Sequence, residues 1–260
     1  MDMKDPLQLE REILMILPSP KITILTTTKC TLKSNYDSAA AFARSLECIH
    51  TADYIVNDVM NLKLIELCVK GTKIVDLCIE GDKFFEEETG GVYKKAVKGV
   101  KMSKGLAFPT SISVNNTVAH FSPLASDSLS SQFLAKGDVV KVHISAHIDD
   151  FTAISAETIV VGAFEKECVT GRKADVIKAA WHAAAELAMR LVKVITDHDA
   201  VATTAAAWNC KPVEDSGMLS CQQSNIIDAK KHIIFNPNET QKRNSHPHPF
   251  DPFDRLDTQM

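Results

Sequence analysis

Several groups of side chains in this sequence have the types that metal, acid–base or phosphate chemistry uses. Residues 141–158 read KVHISAHIDDFTAISAET and hold His143, His147, Asp149 and Asp150. Period-two alternation puts His143 and His147 on one strand face, but four residues of strand rise separate them by about 13 Å, too far to chelate one ion. Asp149 and Asp150 are adjacent, and such a pair forms a turn more readily than it converges on a metal. Asp197, His198 and Asp199 make a compact polar group that reads as a loop. His246 and His248 lie among prolines. Seven cysteines (Cys30, Cys48, Cys68, Cys78, Cys168, Cys210 and Cys221) are odd in number, with no C-x-x-C pair and no zinc-finger spacing, as expected of reduced thiols. No glycine-rich phosphate loop or Ser-His-Asp arrangement is identifiable.

The basic residues are the other candidates. Lys94, Lys95, Lys98, Lys101 and Lys104 cluster within eleven positions, and Arg172 and Lys173 are adjacent. Such a run is usually a solvated loop; its sharper reading is contact with a phosphate backbone. The whole chain carries a formal charge of -4 with a pI near 6.1, so no overall positive field draws it to nucleic acid or an anionic membrane. Any such binding must be local.

The elements that would position these groups follow from periodicity. At 260 residues and 45% hydrophobic content, the chain can bury a core as one large or two small domains. Residues 1–36 lack sustained periodicity and are interrupted by Pro18 and Pro20, which predicts a weakly structured arm with one short strand over 21–27. The apolar run 13–17 is too short for a signal peptide or membrane helix, and the expected compartment is cytoplasm, nucleus or both. From 37 the pattern is helical. Ile55, Val59 and Leu62 define one stripe, closed by Gly71; Ile74, Leu77, Gly81 and Phe84 define another, closed near Gly90 and Gly91. Val140, Val142, Ile144, Ala146 and Ile148 then alternate along a strand, Asp149 and Asp150 turn the chain, and a second strand spans 151–161. A long helix over 172–192 follows, with Ile177, Ala180, Ala184, Leu187 and Leu191 as its stripe. After Gly217 the pattern weakens, and the Pro-rich stretch 236–260 reads as a disordered tail. Helices, a hairpin and a helix make an α+β domain over 37–235.

Longer stretches carry a resemblance. GLAFPTSISVNNTVAHFSPLASD (105–127), TGRKADVIKAA (170–180) and TKIVDLCIEGDKFFEEETG (72–90) resemble the proliferation-associated, ErbB-receptor-binding homologues of type 2 methionine aminopeptidase, most closely the plant versions. The likeness covers roughly 52–242 and fades around IIFNPNETQK, 233–242. It implies the pita-bread fold, here its first α/β half plus a fragment of the second, in a chain expected to be truncated at its C-terminus. Active relatives hold two metal ions with two aspartates, one histidine and two glutamates. By resemblance, the first aspartate position is His143, the second Ile154 and the histidine position Cys221, while the glutamates fall beyond the matched region. His120, in NNTVAHF, matches the histidine that contacts substrate and reads as a relic of that pocket on a strand facing the cleft. The resemblance therefore implies a pseudo-peptidase with no catalytic residue and no metal or other cofactor. It implies binding of structured RNA, ribosomal particles and regulatory proteins, growth regulation, and residence in cytoplasm and nucleus or nucleolus. Lys94, Lys95, Lys98, Lys101, Lys104, Arg172 and Lys173 are the candidate RNA contacts. Two alternatives stay open: a partner-sequestering protein without RNA binding, and a metal-dependent aminopeptidase with a rearranged site of His120, His143 and Cys221.

Overall fold

A computed structural model of the chain describes residues 39–96, 101–163, 168–192, 199–214, 217–222, 225–236 and 240. The N-terminal arm, its expected strand, Lys98, Asp197, His198 and the Pro-rich tail beyond Asn236, Thr240 apart, lie outside the described residues.

The first helix, α1 (Ala39–Val59), runs into a π-helical turn, Met60–Leu64, and a last turn, Ile65–Leu67. Its buried face carries Ala52, Ile55, Val56, Val59, Met60 and Leu64. The wider π turn adds residues to one revolution. Leu64 therefore falls on the core side, and Leu62, expected in the stripe, is 63% exposed. In α2 (Ile74–Gly91) the core face is Ile74, Leu77, Cys78, Gly81 and Phe85. Eleven residues complete about three helical turns, which aligns Phe85 with Ile74 and displaces Phe84 to the flank. There Phe84 is partly buried, with the Lys63 ammonium 5.2 Å from its ring centre.

Both helices pack against a four-stranded antiparallel sheet. Its axis is β3 (Val139–Ile148), flanked on one side by β1 (Lys104–Gly105) and β2 (Ser111–Val114) and on the other by β4 (Phe151–Val160). As expected from alternation, Val140, Val142, Ile144, Ala146 and Ile148 are fully buried. Burying each Val or Ile contributes about 1.5–3 kcal/mol, an upper estimate because unfolded chains already bury some apolar surface. Asp149 and Asp150 join β3 to β4 with positive φ at both positions, 54° and 64°. That is the type I′ geometry whose twist matches paired strands.

Helix α3 (Arg172–Val192) has the predicted bounds and packs on α4 (Asp199–Ala206). Among its described side chains the buried ones are Ala179 and Ala183, whereas Ala180 is exposed. Small residues allow the close approach to Val201 and Ala205, which are also buried. A hairpin of β5 (Gly217–Gln222) and β6 (Asn225–Ile234) follows, where the sequence pattern weakens. Register shifts at Leu219/Ser220 and Ser220/Gln222 interrupt the alternation a strand would otherwise display. Among the described residues no helix is long and apolar enough to cross a membrane. The arrangement is the α+β, pita-bread-like one expected.

Candidate functional site

The polar face of the sheet is built by alternation on three strands. Because Val142 and Ile144 point to the helices, His143 and Ser145 point the other way, beside Ser111 and Ser113 of β2. On β4 the same face carries Ile154, opposite Ser145, and Ala156, opposite His143. The resemblance put His143 and Ile154 in one site, and the register sets them diagonally adjacent.

Two serines fasten two loops over this face. Ser145 Oγ accepts a hydrogen bond from the Phe108 N–H at 2.8 Å and donates to the Phe108 carbonyl at 3.2 Å. This holds the Phe108 ring 4.7 Å from the His143 ring, centre to centre. Ser113 Oγ accepts from the Phe121 N–H at 3.2 Å, and the Ile112 N–H donates to the Phe121 carbonyl at 2.8 Å. The chain before Phe121 is thereby held so that His120 Nδ1 lies 3.2 Å from His143 Nδ1. His120 is not on a strand, contrary to expectation. β2 ends at Val114, Asn115 takes φ 53° with the Thr117 N–H bonded to the Val114 carbonyl, and His120 occupies the following loop at φ 60°. Asn115 also ties β2 to β3: its Oδ1 accepts from the Val139 N–H at 3.0 Å and its carbonyl from Lys141 Nζ at 2.7 Å.

Burial first, and the neighbouring His120 second, push the His143 imidazole down to a pKa of about 4. His143 is therefore neutral at pH 7, able to donate from one ring nitrogen and accept at the other. Burial likewise lowers Lys141. His147 does not join His143; its Nδ1 is 3.6 Å from Asp150 Oδ1. Cys221 lies on β5 within the second register shift, between Ser220 and Gln222.

The basic candidates divide into two groups. Lys94, Lys95 and Lys101 are exposed. Lys104 donates to the carbonyls of Val92 and Gly90. Arg172 donates to the carbonyls of Trp208, at 3.1 Å, and Asn209, at 2.6 Å, and Lys173 to that of Gly137. Their charges thus meet backbone dipoles within the fold, and Arg172 caps the turn that follows α4.

Phe108, Ser113 and Ser145 were not among the expected site residues. Ser145 was findable, since it alternates with His143 along β3; the return of the loops onto the sheet carries no local sequence signal.

No protein-family model matches the chain. ErbB-3 binding protein 1 of Solanum tuberosum is 46% identical over 177 residues, covering 66% of this chain and 40% of that protein. The curved DNA-binding protein of Schizosaccharomyces pombe is 37% identical over 223 residues, covering 84% of this chain and 56% of that protein. Among solved structures, a thermophilic Arx1 superposes with a TM-score of 0.66 at 28% identity, over 76% of this chain and 57% of that one. The chain thus spans about half the length of the curated relatives it matches.

Proposed function

We propose that the chain, which is similar to proliferation-associated, methionine-aminopeptidase-like proteins over about half their length, is a non-catalytic binding protein of that group. The observation that carries this reading is the β3–β4 register, which sets His143 and Ile154 diagonally adjacent on one sheet face where the resemblance places two metal-ligating aspartates. Hydrolysis by a metal-bridging water needs carboxylate oxygens around hard divalent ions. Ile154 has no lone pair, and among the described residues no three His, Cys, Asp or Glu side chains converge as metal ligands. A two-metal centre of that kind does not fit these residues.

The bound partner in this reading is structured RNA or ribosomal particles together with regulatory proteins, met in the cytoplasm and the nucleus or nucleolus. The names of two relatives, an ErbB-3 binding protein and a curved DNA-binding protein, support a protein partner and, more broadly, a nucleic-acid partner. Lys94, Lys95 and Lys101 are exposed and can approach phosphate, while Lys104, Arg172 and Lys173 are engaged with carbonyls and contribute less. The test is the affinity of the chain for a structured RNA across a salt series. Replacing Lys94, Lys95 and Lys101 with glutamine should weaken binding and flatten the salt dependence, by about one unit of slope for each phosphate that a lysine no longer neutralises. An unchanged slope contradicts the assignment.

A second reading, protein partners without RNA, is favoured by Leu124, Leu129 and Phe133, which are 68%, 50% and 60% exposed on the segment between β2 and β3. Nuclease treatment of a pull-down separates the two: partners retained after digestion belong to the second.

A further inference from the structure

We propose that His120 and His143 form a two-imidazole site for a single borderline transition-metal cation of the zinc(II) or copper(II) class. Their Nδ1 atoms are 3.2 Å apart. Two imidazole nitrogens bound to one tetrahedral zinc at about 2.0–2.1 Å are themselves about 3.4 Å apart, so the pair already has close to the bite that such an ion requires. The two ring planes are tilted by 44° to one another, with their centres 5.0 Å apart.

The surroundings fit a held pair. His143 is fixed by its strand and flanked by the Phe108 ring at 4.7 Å. His120 is fixed by the loop that Ser113 fastens at Phe121. It also adopts φ 60°, which disfavours a residue with a Cβ, although its side chain is exposed. Backbone conformations held against preference are concentrated at ligand clamps and similar sites. Among the described residues the side-chain partner of His120 is His143.

The donor set decides the class of ion. Imidazole suits zinc and copper, whereas magnesium and manganese favour carboxylate oxygen. With Ile154 as the diagonal neighbour, the face that would hold two hard ions by resemblance offers two nitrogen donors to one softer ion. The protons balance. In the metal-free pair one Nδ1 carries the hydrogen of the shared bond; on binding, that ring moves its hydrogen to Nε2, and each Nδ1 gives one lone pair. Two ligands leave the remaining coordination positions to water or to a donor from a bound molecule. The site stands apart from the RNA and protein-partner readings above.

The test is titration of the full chain with copper(II), followed by electron paramagnetic resonance, in the wild type, H120N, H143Q and the double tail variant H246A/H248A. Asparagine tolerates the left-handed backbone at 120, so H120N keeps the loop. The expected result is one equivalent bound with coupling to two nitrogens, at least ten-fold weaker in H120N and in H143Q and unchanged in the tail variant. Zinc(II) should raise the melting temperature of the wild type and not of H120N, and manganese(II) should raise neither. Binding lost only in the tail variant, or unaffected in both H120N and H143Q, overturns the proposal. A rise with manganese(II) alone overturns it too and separately contradicts the non-catalytic reading.

Discussion

Ile154 pairs with Ser145 across the β3–β4 ladder and therefore shares a sheet face with His143, whose own partner is Ala156. The two-residue turn at Asp149 and Asp150 sets that register. A slip of one residue would send Ile154 to the helix side, where Ile144 and Ala146 are fully buried. The placement of an imidazole and, diagonal to it, an aliphatic side chain on this face is thus built into the hairpin.

Asp150→Gly should stabilise the protein. Asp150 sits at φ 64°, where glycine is relieved of the cost a Cβ imposes. The expected gain is about 0.5–1 kcal/mol in urea unfolding. Each change also removes one side-chain contact, Asp149→Gly the 3.4 Å ion pair with Arg44 and Asp150→Gly the 3.6 Å approach to His147, partly exposed pairings worth about 0–1 kcal/mol, so the two variants should gain similar amounts. A loss of stability in Asp150→Gly would contradict the turn assignment.

The stability of the fold should depend on pH through His143. Its pKa is about 4 in the folded state against 6.5 when unperturbed. Between those values the unfolded chain holds a proton that the folded chain does not, so stability rises with pH through this window. The contribution is complete above 6.5 and lost as pH falls toward 4. Its size is of order 1–3 kcal/mol. Urea melts at several pH values should show this slope in the wild type and a flatter one in His143→Gln.

Gly81→Ala should destabilise α2 against the sheet. A Cβ at Gly81 would lie 2.7 Å from both Thr110 Oγ1 and Cγ2, and overpacking of this kind costs about 1–3 kcal/mol. Thr110→Ala in the same chain should restore part of the loss. No restoration would mean that the two residues do not meet.

Arg172→Gln should loosen α3 from α4 by removing the hydrogen bonds to the Trp208 and Asn209 carbonyls. Bonds from a charged donor are worth about 1.5–3 kcal/mol when well shielded, and this exposed pair should give about 1 kcal/mol. Tryptophan fluorescence reports it directly, since Trp208 stacks on His182 with ring centres 5.3 Å apart. RNA affinity should change less in this variant than on replacing Lys94, Lys95 and Lys101.

Much of this fold is legible in the sequence because local periodicity determines it. The bounds of α3, the buried face of β3 and the turn at Asp149 and Asp150 all follow from spacing of 3.6 or 2 residues. Periodicity misleads where a local irregularity shifts the phase. The π turn at Met60–Leu64 replaces Leu62 by Leu64 in the core, and the bulges of β5 hide a hairpin. In α2 both Phe84 and Phe85 lie near the stripe, and only three whole turns select Phe85 over the expected Phe84. Of the site, the same-face placement of His143 and Ile154 follows from alternation and the length of the turn. The approach of His120 and Phe108 does not, because each depends on a loop held by a serine of another segment.

The central claim, that this chain binds without hydrolysing, is tested most directly by incubating it with a Met-Ala-Ser peptide and manganese and measuring released methionine. The account predicts no release above the protein-free control, in wild type and His120→Ala alike. Manganese-dependent release by the wild type that disappears in His120→Ala would contradict it.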